Sequence, residues 1–210
     1  MTGPNAAPRT WTFSATYVVL PTENVDTDQI IPARFLTTTD RTGLGPNAFN
    51  DWRYLADGSP NPDFVLNKPE SQGAEVLVAG HNFGCGSSRE HAVWALAGAG
   101  FRAVVSSSFA DIFRGNALGN GLLPIQVSPD VLAKLMASHT PSAQVTVNLV
   151  ASTLTLPAGE TVTFPVPPFS RYCLLNGIDE LGFLLGTADD AGKYESAHGS
   201  SFSTLAAGAA

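Results

Sequence analysis

The strongest constraint in this sequence is the alternation of apolar, strand-like runs with helix-like runs between residues 74 and 136. Ala74-Glu75-Val76-Leu77-Val78-Ala79-Gly80 is followed, past a glycine-rich turn, by the alanine-rich Ala92-Val93-Trp94-Ala95-Leu96-Ala97. Arg102-Ala103-Val104-Val105-Ser106-Ser107-Ser108 leads into a helical pattern over 109–118, which stops at Gly119-Asn120-Gly121. Leu122-Leu123-Pro124-Ile125-Gln126-Val127 reads as a third strand; Ser128 then caps a helix through Met136, with Pro129 at its first position. The order β-α-β-α-β-α predicts a parallel sheet joined by right-handed crossovers. Ligands of such sheets collect beyond the strand C-terminal ends, which singles out the first strand-to-helix turn.

On either side the pattern changes. Thr12-Phe13-Ser14-Ala15-Thr16-Tyr17-Val18-Val19-Leu20 predicts a strand ending at Pro21. Strict alternation in 144–150 and 152–156, with 161–164 after a Pro-Ala-Gly-Glu turn, predicts antiparallel hairpins. Two short helices are expected over 169–177 and 178–185. Residues 37–73 hold neither period, yet interleave Arg41, Phe49, Trp52, Arg53 and Tyr54 with prolines. A segment this long inside a compact domain is usually a lid or a partner-binding element, although Trp52 and Tyr54 read first as local packing. The first ten residues are expected to be a loose lead-in, and the small, polar stretch 189–210 a disordered tail. One domain over 1–188, including the loop 37–73, is the resulting expectation.

Bulk properties narrow the partners. A net charge of −7 argues against nucleic acid and against anionic membrane. No apolar run approaches a membrane span, and the N-terminal stretch has no basic-then-apolar order, so a cytoplasmic location is expected. The 2 cysteines, Cys85 and Cys173, are too few and too far apart for a metal ligand set, so no metal is expected on this chain.

The turn itself reads Asn82-Phe83-Gly84-Cys85-Gly86-Ser87-Ser88-Arg89-Glu90-His91. Strand, glycine turn and helix together put backbone N–H groups and a positive dipole end at one place. Ser87-x-x-Glu90 also fits a capping box, a purely structural role. That reading leaves Gly84, Gly86 and the arginine unexplained, because the dipole disfavours a cation at a helix start unless it faces an anion. Cys85 as a nucleophile, with His81 or His91 as its base, stays open. Asp26-Thr27-Asp28 reads first as a capping turn.

Taken together, Gly84-Cys85-Gly86-Ser87-Ser88-Arg89-Glu90-His91, Asn24-Val25-Asp26-Thr27-Asp28-Gln29-Ile30-Ile31-Pro32 and Ser108-Phe109-Ala110-Asp111-Ile112-Phe113 closely resemble the 3-isopropylmalate dehydratase small-subunit family. Arg41-Thr42-Gly43, Phe49-Asn50-Asp51-Trp52-Arg53, Asn61-Pro62-Asp63-Phe64-Val65-Leu66-Asn67 and Arg171-Tyr172-Cys173-Leu174-Leu175-Asn176-Gly177-Ile178-Asp179 extend the likeness over roughly residues 16–185. The resemblance implies an α/β fold: a three-layer β/β/α swivel domain of the aconitase-like hydro-lyases, with a mainly parallel central sheet and added antiparallel strands. It implies the interconversion of 2-isopropylmalate and 3-isopropylmalate in leucine biosynthesis, by dehydration and rehydration. A large subunit would be the obligatory partner and would carry a 4Fe–4S cluster acting as Lewis acid on the leaving hydroxyl. By the same likeness Ser87 is the base and Arg89 the ligand of a substrate carboxylate, both catalytic. Ser88, Gly86, Asp26, Thr27 and Asp28 border the dicarboxylate, and the 37–73 segment includes a substrate-recognition loop. A relative acting on citraconate or maleate, and a free-standing anion-binding or cysteine-nucleophile protein, are the competing readings.

Overall fold

The computed structural model describes residues 10–37 and 40–199. The lead-in over 1–9 and the end of the tail, 200–210, lie outside them. Seven strands form one sheet: β1 (Thr12–Leu20), β2 (Val76–Ala79), β3 (Ala103–Ser106), β4 (Leu123–Gln126), β5 (Gln144–Asn148), β6 (Thr153–Thr155) and β7 (Thr161–Thr163). Their order across the sheet is β4-β3-β2-β1-β5-β6-β7. The β1–β2, β2–β3 and β3–β4 pairs are parallel; β1–β5, β5–β6 and β6–β7 are antiparallel. The sheet is thus parallel over the half that carries the crossovers and antiparallel over the half made of hairpins, a more even division than the sequence suggests.

All four residues of β2 are buried, as expected of a strand covered on both faces. Leu77 and Ala79 point into one core with α3 (Glu90–Gly98) and α4 (Asp111–Gly119). Val76 and Val78 point into a second core, with α5 (Pro129–Ala137) and the inward residues Val145, Val147 and Leu154 of the antiparallel half. That half therefore curls back over the parallel sheet, giving the sequence of layers β on β on α. Each fully buried Leu or Val contributes about 1.5–3 kcal/mol. Two long-range hydrogen bonds lock the outer elements down: Tyr17 Oη donates to the Leu135 carbonyl at 2.9 Å, and Trp11 Nε1 to the Leu174 carbonyl at 2.6 Å. Leu174 lies on α6 (Pro168–Asn176), which Gly177 ends at φ 65°, the left-handed stop glycine tolerates.

Residues 40–73 are held rather than free. A short α1 (Thr27–Ile30) precedes them, and α2 (Asn50–Arg53) lies within them. Phe49 and Phe64 are core residues, with Trp52 stacked on Phe49 at 5.8 Å. Asn61 Nδ2 donates to the Trp52 carbonyl at 2.9 Å, and Asn67 accepts from Arg53 Nε at 3.1 Å. Gly45 abuts Gly98 of α3 so closely that a Cβ on Gly45 would overlap the Gly98 carbonyl. Trp52 packs locally, as expected, and Arg53 is a half-buried cross-link.

Beyond α7 (Glu180–Gly186) the described chain continues in helix. Residues of the expected disordered tail form α8 (Ala188–His198), a helix with no buried residue. Among the described residues no helix is long and apolar enough to cross a membrane.

Candidate active site

Three loops leave the C-terminal ends of β1, β2 and β3 and knit together at one sheet edge. The middle loop, 80–89, is clamped from both sides. On the β1 side, Asn24 N–H donates to the His81 carbonyl at 2.8 Å, Gly84 N–H to Val25 at 2.8 Å and Thr27 N–H to Cys85 at 2.9 Å. On the β3 side, Phe83 N–H donates to Ser108 at 3.0 Å and Ala110 N–H to Phe83 at 3.1 Å. Buried Ser106 completes the clamp by donating to the Gly80 and Ser108 carbonyls. The loop is a strand-like ribbon between two neighbours, so its exposed tip is presented by a rigid frame.

Two glycines make that path possible. Gly84 has φ 76° and lies on Phe113 of α4, where any Cβ would overlap the ring. Gly86 has φ 87°, and a Cβ there would meet the Asp26 side chain at 3.3 Å. Both positions need the left-handed region, which costs an L-residue roughly 1–2 kcal/mol. Past Gly86, buried Thr27 donates its Oγ1 to the Ser87 carbonyl at 2.8 Å, fixing the backbone there. The Ser87 and Ser88 side chains are left at the surface.

Arg89 closes the loop. Its guanidinium pairs through Nη1 with Oδ1 of Asp28 on α1, and its side chain is 15% exposed against 54% for Asp28. The cation is held low and inward while its carboxylate partner faces water. Asp26 caps α1: its Oδ1 accepts from Gln29 N–H at 2.8 Å, and Gln29 Oε1 accepts from Asp26 N–H at 2.9 Å. The structural reading of Asp26 as a capping residue therefore holds, and Thr27 and Asp28 reach across to the loop from the helix it starts.

The capping box foreseen at Ser87 and Glu90 does not form. Helix α3 begins at Glu90 with Arg89 as its N-cap, and no side chain caps it. Ser87 sits two residues too early because the turn at Gly86 and the Thr27 bond hold its backbone against α1. Ser88 does not cap either. Ser87, Ser88, Arg89, Gly86, Asp26, Thr27 and Asp28, all singled out in the sequence, nonetheless meet at one place. Their surroundings hold residues the sequence did not flag. Asn24 and Asn82 both adopt φ near +55°, at 54° and 56°, and Asn82 Nδ2 donates to Asn24 Oδ1 at 2.9 Å. Paired asparagines in turns after strands are the available signal, since Asn tolerates that region best after glycine.

The cysteine alternatives lose support. Cys85 Sγ–H donates to the Asn24 carbonyl at 3.3 Å, while the His81 ring pairs with Ser107 Oγ at 3.3 Å and His91 packs on Trp94. Cys173 is buried in α6, where burial first, then the Glu180 and Asp179 charges, raise its pKa and keep it a thiol. Among the described residues no three His, Cys, Asp or Glu side chains gather as metal ligands. An iron–sulfur cluster, which takes about three or four thiolates, does not fit the donors this chain offers.

The chain thus presents a glycine-shaped loop carrying serine and arginine at the edge of a parallel sheet, backed by a curled antiparallel half. The model of the Aconitase C-terminal domain family matches residues 9–130. The small subunit of 3-isopropylmalate dehydratase from Anaeromyxobacter dehalogenans (strain 2CP-C) is 64% identical over 178 residues, covering 85% of this chain and 92% of that protein. That from Roseiflexus castenholzii is 56% identical over 183 residues, covering 86% and 90%. The crystal structure of 3-isopropylmalate dehydratase from Methanocaldococcus jannaschii superposes with a TM-score of 0.64 at 28% identity, covering 87% of this chain and 99% of that one. The chain belongs to the 3-isopropylmalate dehydratase small-subunit family.

Proposed function

We propose that this protein is the small subunit of a hydro-lyase that interconverts 2-isopropylmalate and 3-isopropylmalate in leucine biosynthesis, active with a large subunit. The observation that carries the reading is the pairing of a surface Ser87 with an inward-held Arg89 on a loop clamped at both sides. The chemistry asks for two things of this chain. One is a fork that binds a substrate carboxylate in fixed orientation, which a guanidinium supplies and an ammonium does not. The other is a base for the carbon-bound proton beside that carboxylate. A serine oxygen serves only where positive potential stabilises its ionised form, and Arg89 and the start of α3 supply that potential. Thr27 holds the Ser87 backbone, so the hydroxyl is aimed without a cap bond of its own.

Ser88 and Gly86 border the same position; Asp26 and Thr27 shape its wall, and Asp28 holds Arg89 until a substrate carboxylate arrives. The 4Fe–4S cluster of this chemistry belongs on the large subunit, because the donors here do not make a cluster site. The working enzyme is cytoplasmic in this reading, with domain limits of 1–188 and a substrate-recognition loop within the 37–73 segment.

The test is co-expression with the cognate large subunit, followed by hydration assays on isopropylmaleate, citraconate and maleate. Turnover of isopropylmaleate well above the other two supports the reading. Preference for citraconate or maleate replaces it with a related hydro-lyase, and activity of the small chain alone would overturn it.

A further inference from the structure

Helix α3 carries a second feature besides Arg89. His91, Trp94 and Gly98 recur at helical spacing, so they form one stripe along it. Part of the segment that follows α1 lies on this stripe. Gly45 abuts Gly98, and the guanidinium of Arg41 stands over the Trp94 ring, 5.5 Å from its centroid. A cation within about 6 Å of an indole face is attracted by the ring's quadrupole. His91 packs on the same indole at 4.6 Å, its plane tilted by 49°.

The ring is held in one orientation. Its Nε1–H donates to Asn120 Oδ1 at 2.8 Å, and Asn120 Nδ2 donates in turn to the Asn116 carbonyl at 2.9 Å. Asn120 ends α4, and Ala110, just before α4, holds Phe83 of the site loop. Trp94 is half-buried and packs against the core that α3 and α4 share. The same two helices thus frame the site loop and orient the indole. Packing alone would be met by any large apolar side chain; a guanidinium over the face calls for an aromatic one. The ring lies about 1.4 helical turns past Arg89, so a segment seated on it has a fixed place relative to that arginine.

We infer that Trp94 is a positioning residue: its indole seats Arg41, and with it the substrate-recognition segment, in a fixed relation to the helix start that carries Arg89. The inference rests on the proposed function, since it takes the recognition loop to lie within 37–73. Trp94 itself touches no reacting group; it acts through the chain it holds. The consequence is selectivity. A seated segment presents one wall to the substrate's side group. Loosening it penalises the acid that relies on that wall and spares an acid without a side group. Isopropylmaleate should therefore lose more than maleate does.

The experiment measures kcat and KM of the assembled enzyme for isopropylmaleate and maleate in the wild type, Trp94→Leu, Trp94→Phe, Arg41→Gln and the double variant Trp94→Leu/Arg41→Gln. Leucine and phenylalanine both lose the bond to Asn120, and only phenylalanine keeps a ring face, so their difference isolates the seat. Expected in Trp94→Leu is a KM for isopropylmaleate raised about threefold to tenfold, with kcat changed less and the preference over maleate reduced. Trp94→Phe should stay within about twofold of the wild type. The double variant should be no worse than the poorer single one, because both remove the same contact. Trypsin, which cuts after arginine, should cleave between Arg41 and Thr42 faster in Trp94→Leu than in the wild type. A folded Trp94→Leu with wild-type KM, preference or cleavage overturns the seat and leaves the proposed function standing. Equal effects of leucine and phenylalanine overturn it too, tracing the change to the Asn120 bond, and so do additive effects of the two substitutions. Should Trp94→Leu fail to fold, Arg41→Gln is read against Arg41→Lys, which keeps a cation for the ring; the same KM in both overturns the seat. An assembled wild type that turns over neither acid overturns the proposed function, and this inference with it.

Discussion

Arg89 is paired with Asp28 across the two loops that form the site, the arginine nearly covered and the aspartate open to water. The pair orients the guanidinium, and in the proposed function a substrate carboxylate shares Arg89 with Asp28 or displaces it. Asp28→Asn removes the charge competing for Arg89 but also loosens its orientation. The expected signature is a changed KM with a lower kcat, measured on the assembled enzyme. Arg89→Lys replaces a fork with a point charge and should reduce kcat/KM by about 10²-fold or more, since misplacing a bound substrate costs that much.

Gly84 tests the frame rather than the chemistry. With φ 76° and Phe113 against it, Gly84→Ala combines left-handed strain with overpacking. The two effects together cost about 2–5 kcal/mol, read as a lower denaturation midpoint in urea. Gly86→Ala, whose Cβ would touch Asp26 only at 3.3 Å, should cost less stability and more activity.

Alkaline stability follows from Tyr17. Burial raises its pKa above the ordinary 10.0, outweighing the hydrogen bond to Ser138. The folded state therefore favours the neutral phenol more than the unfolded state does. Its contribution is complete below the ordinary value and is lost as pH rises through the folded one. Melting temperature should fall across that alkaline window, and Tyr17→Phe should flatten the fall while losing the bond to Leu135. A slope identical in the two proteins would assign the alkaline loss elsewhere.

The segment 40–73 is held by its asparagines. Asn67 accepts from Arg53 and donates to the Asn61 carbonyl at 2.9 Å, all within one half-buried knot. Asn67→Ala leaves buried polar groups unpaired, at about 1–3 kcal/mol each. Limited proteolysis should then cut within 55–63 first, where the wild type resists.

How far the sequence carried this account depends on whether the deciding physics was local. The strands of the parallel half, the Pro129 helix start, the stop at Gly177 and the turn capped by Asp26 follow from periods and caps confined to a few residues. Ser87 shows the limit. Its spacing to Glu90 satisfies a capping box, yet Gly86 and a bond from Thr27, 60 residues away in sequence, set its backbone. The Arg89–Asp28 pair, the Asn24–Asn82 pair and the curl of the antiparallel half are long-range in the same sense. The segment 40–73 lacks a period because it is built from short turns fastened by side chains. Helix α8 escaped notice because its composition carries no apolar face, and its structure buries none.

The central claim is that Ser87 takes the carbon-bound proton at a site shared with the large subunit. The most direct measurement is turnover of Ser87→Ala in the assembled enzyme, with subunit affinity measured on the same preparation. The account predicts affinity equal to the wild type and a rate lower by about 10²–10⁴-fold. Full assembly with a rate within a few-fold of the wild type would contradict it.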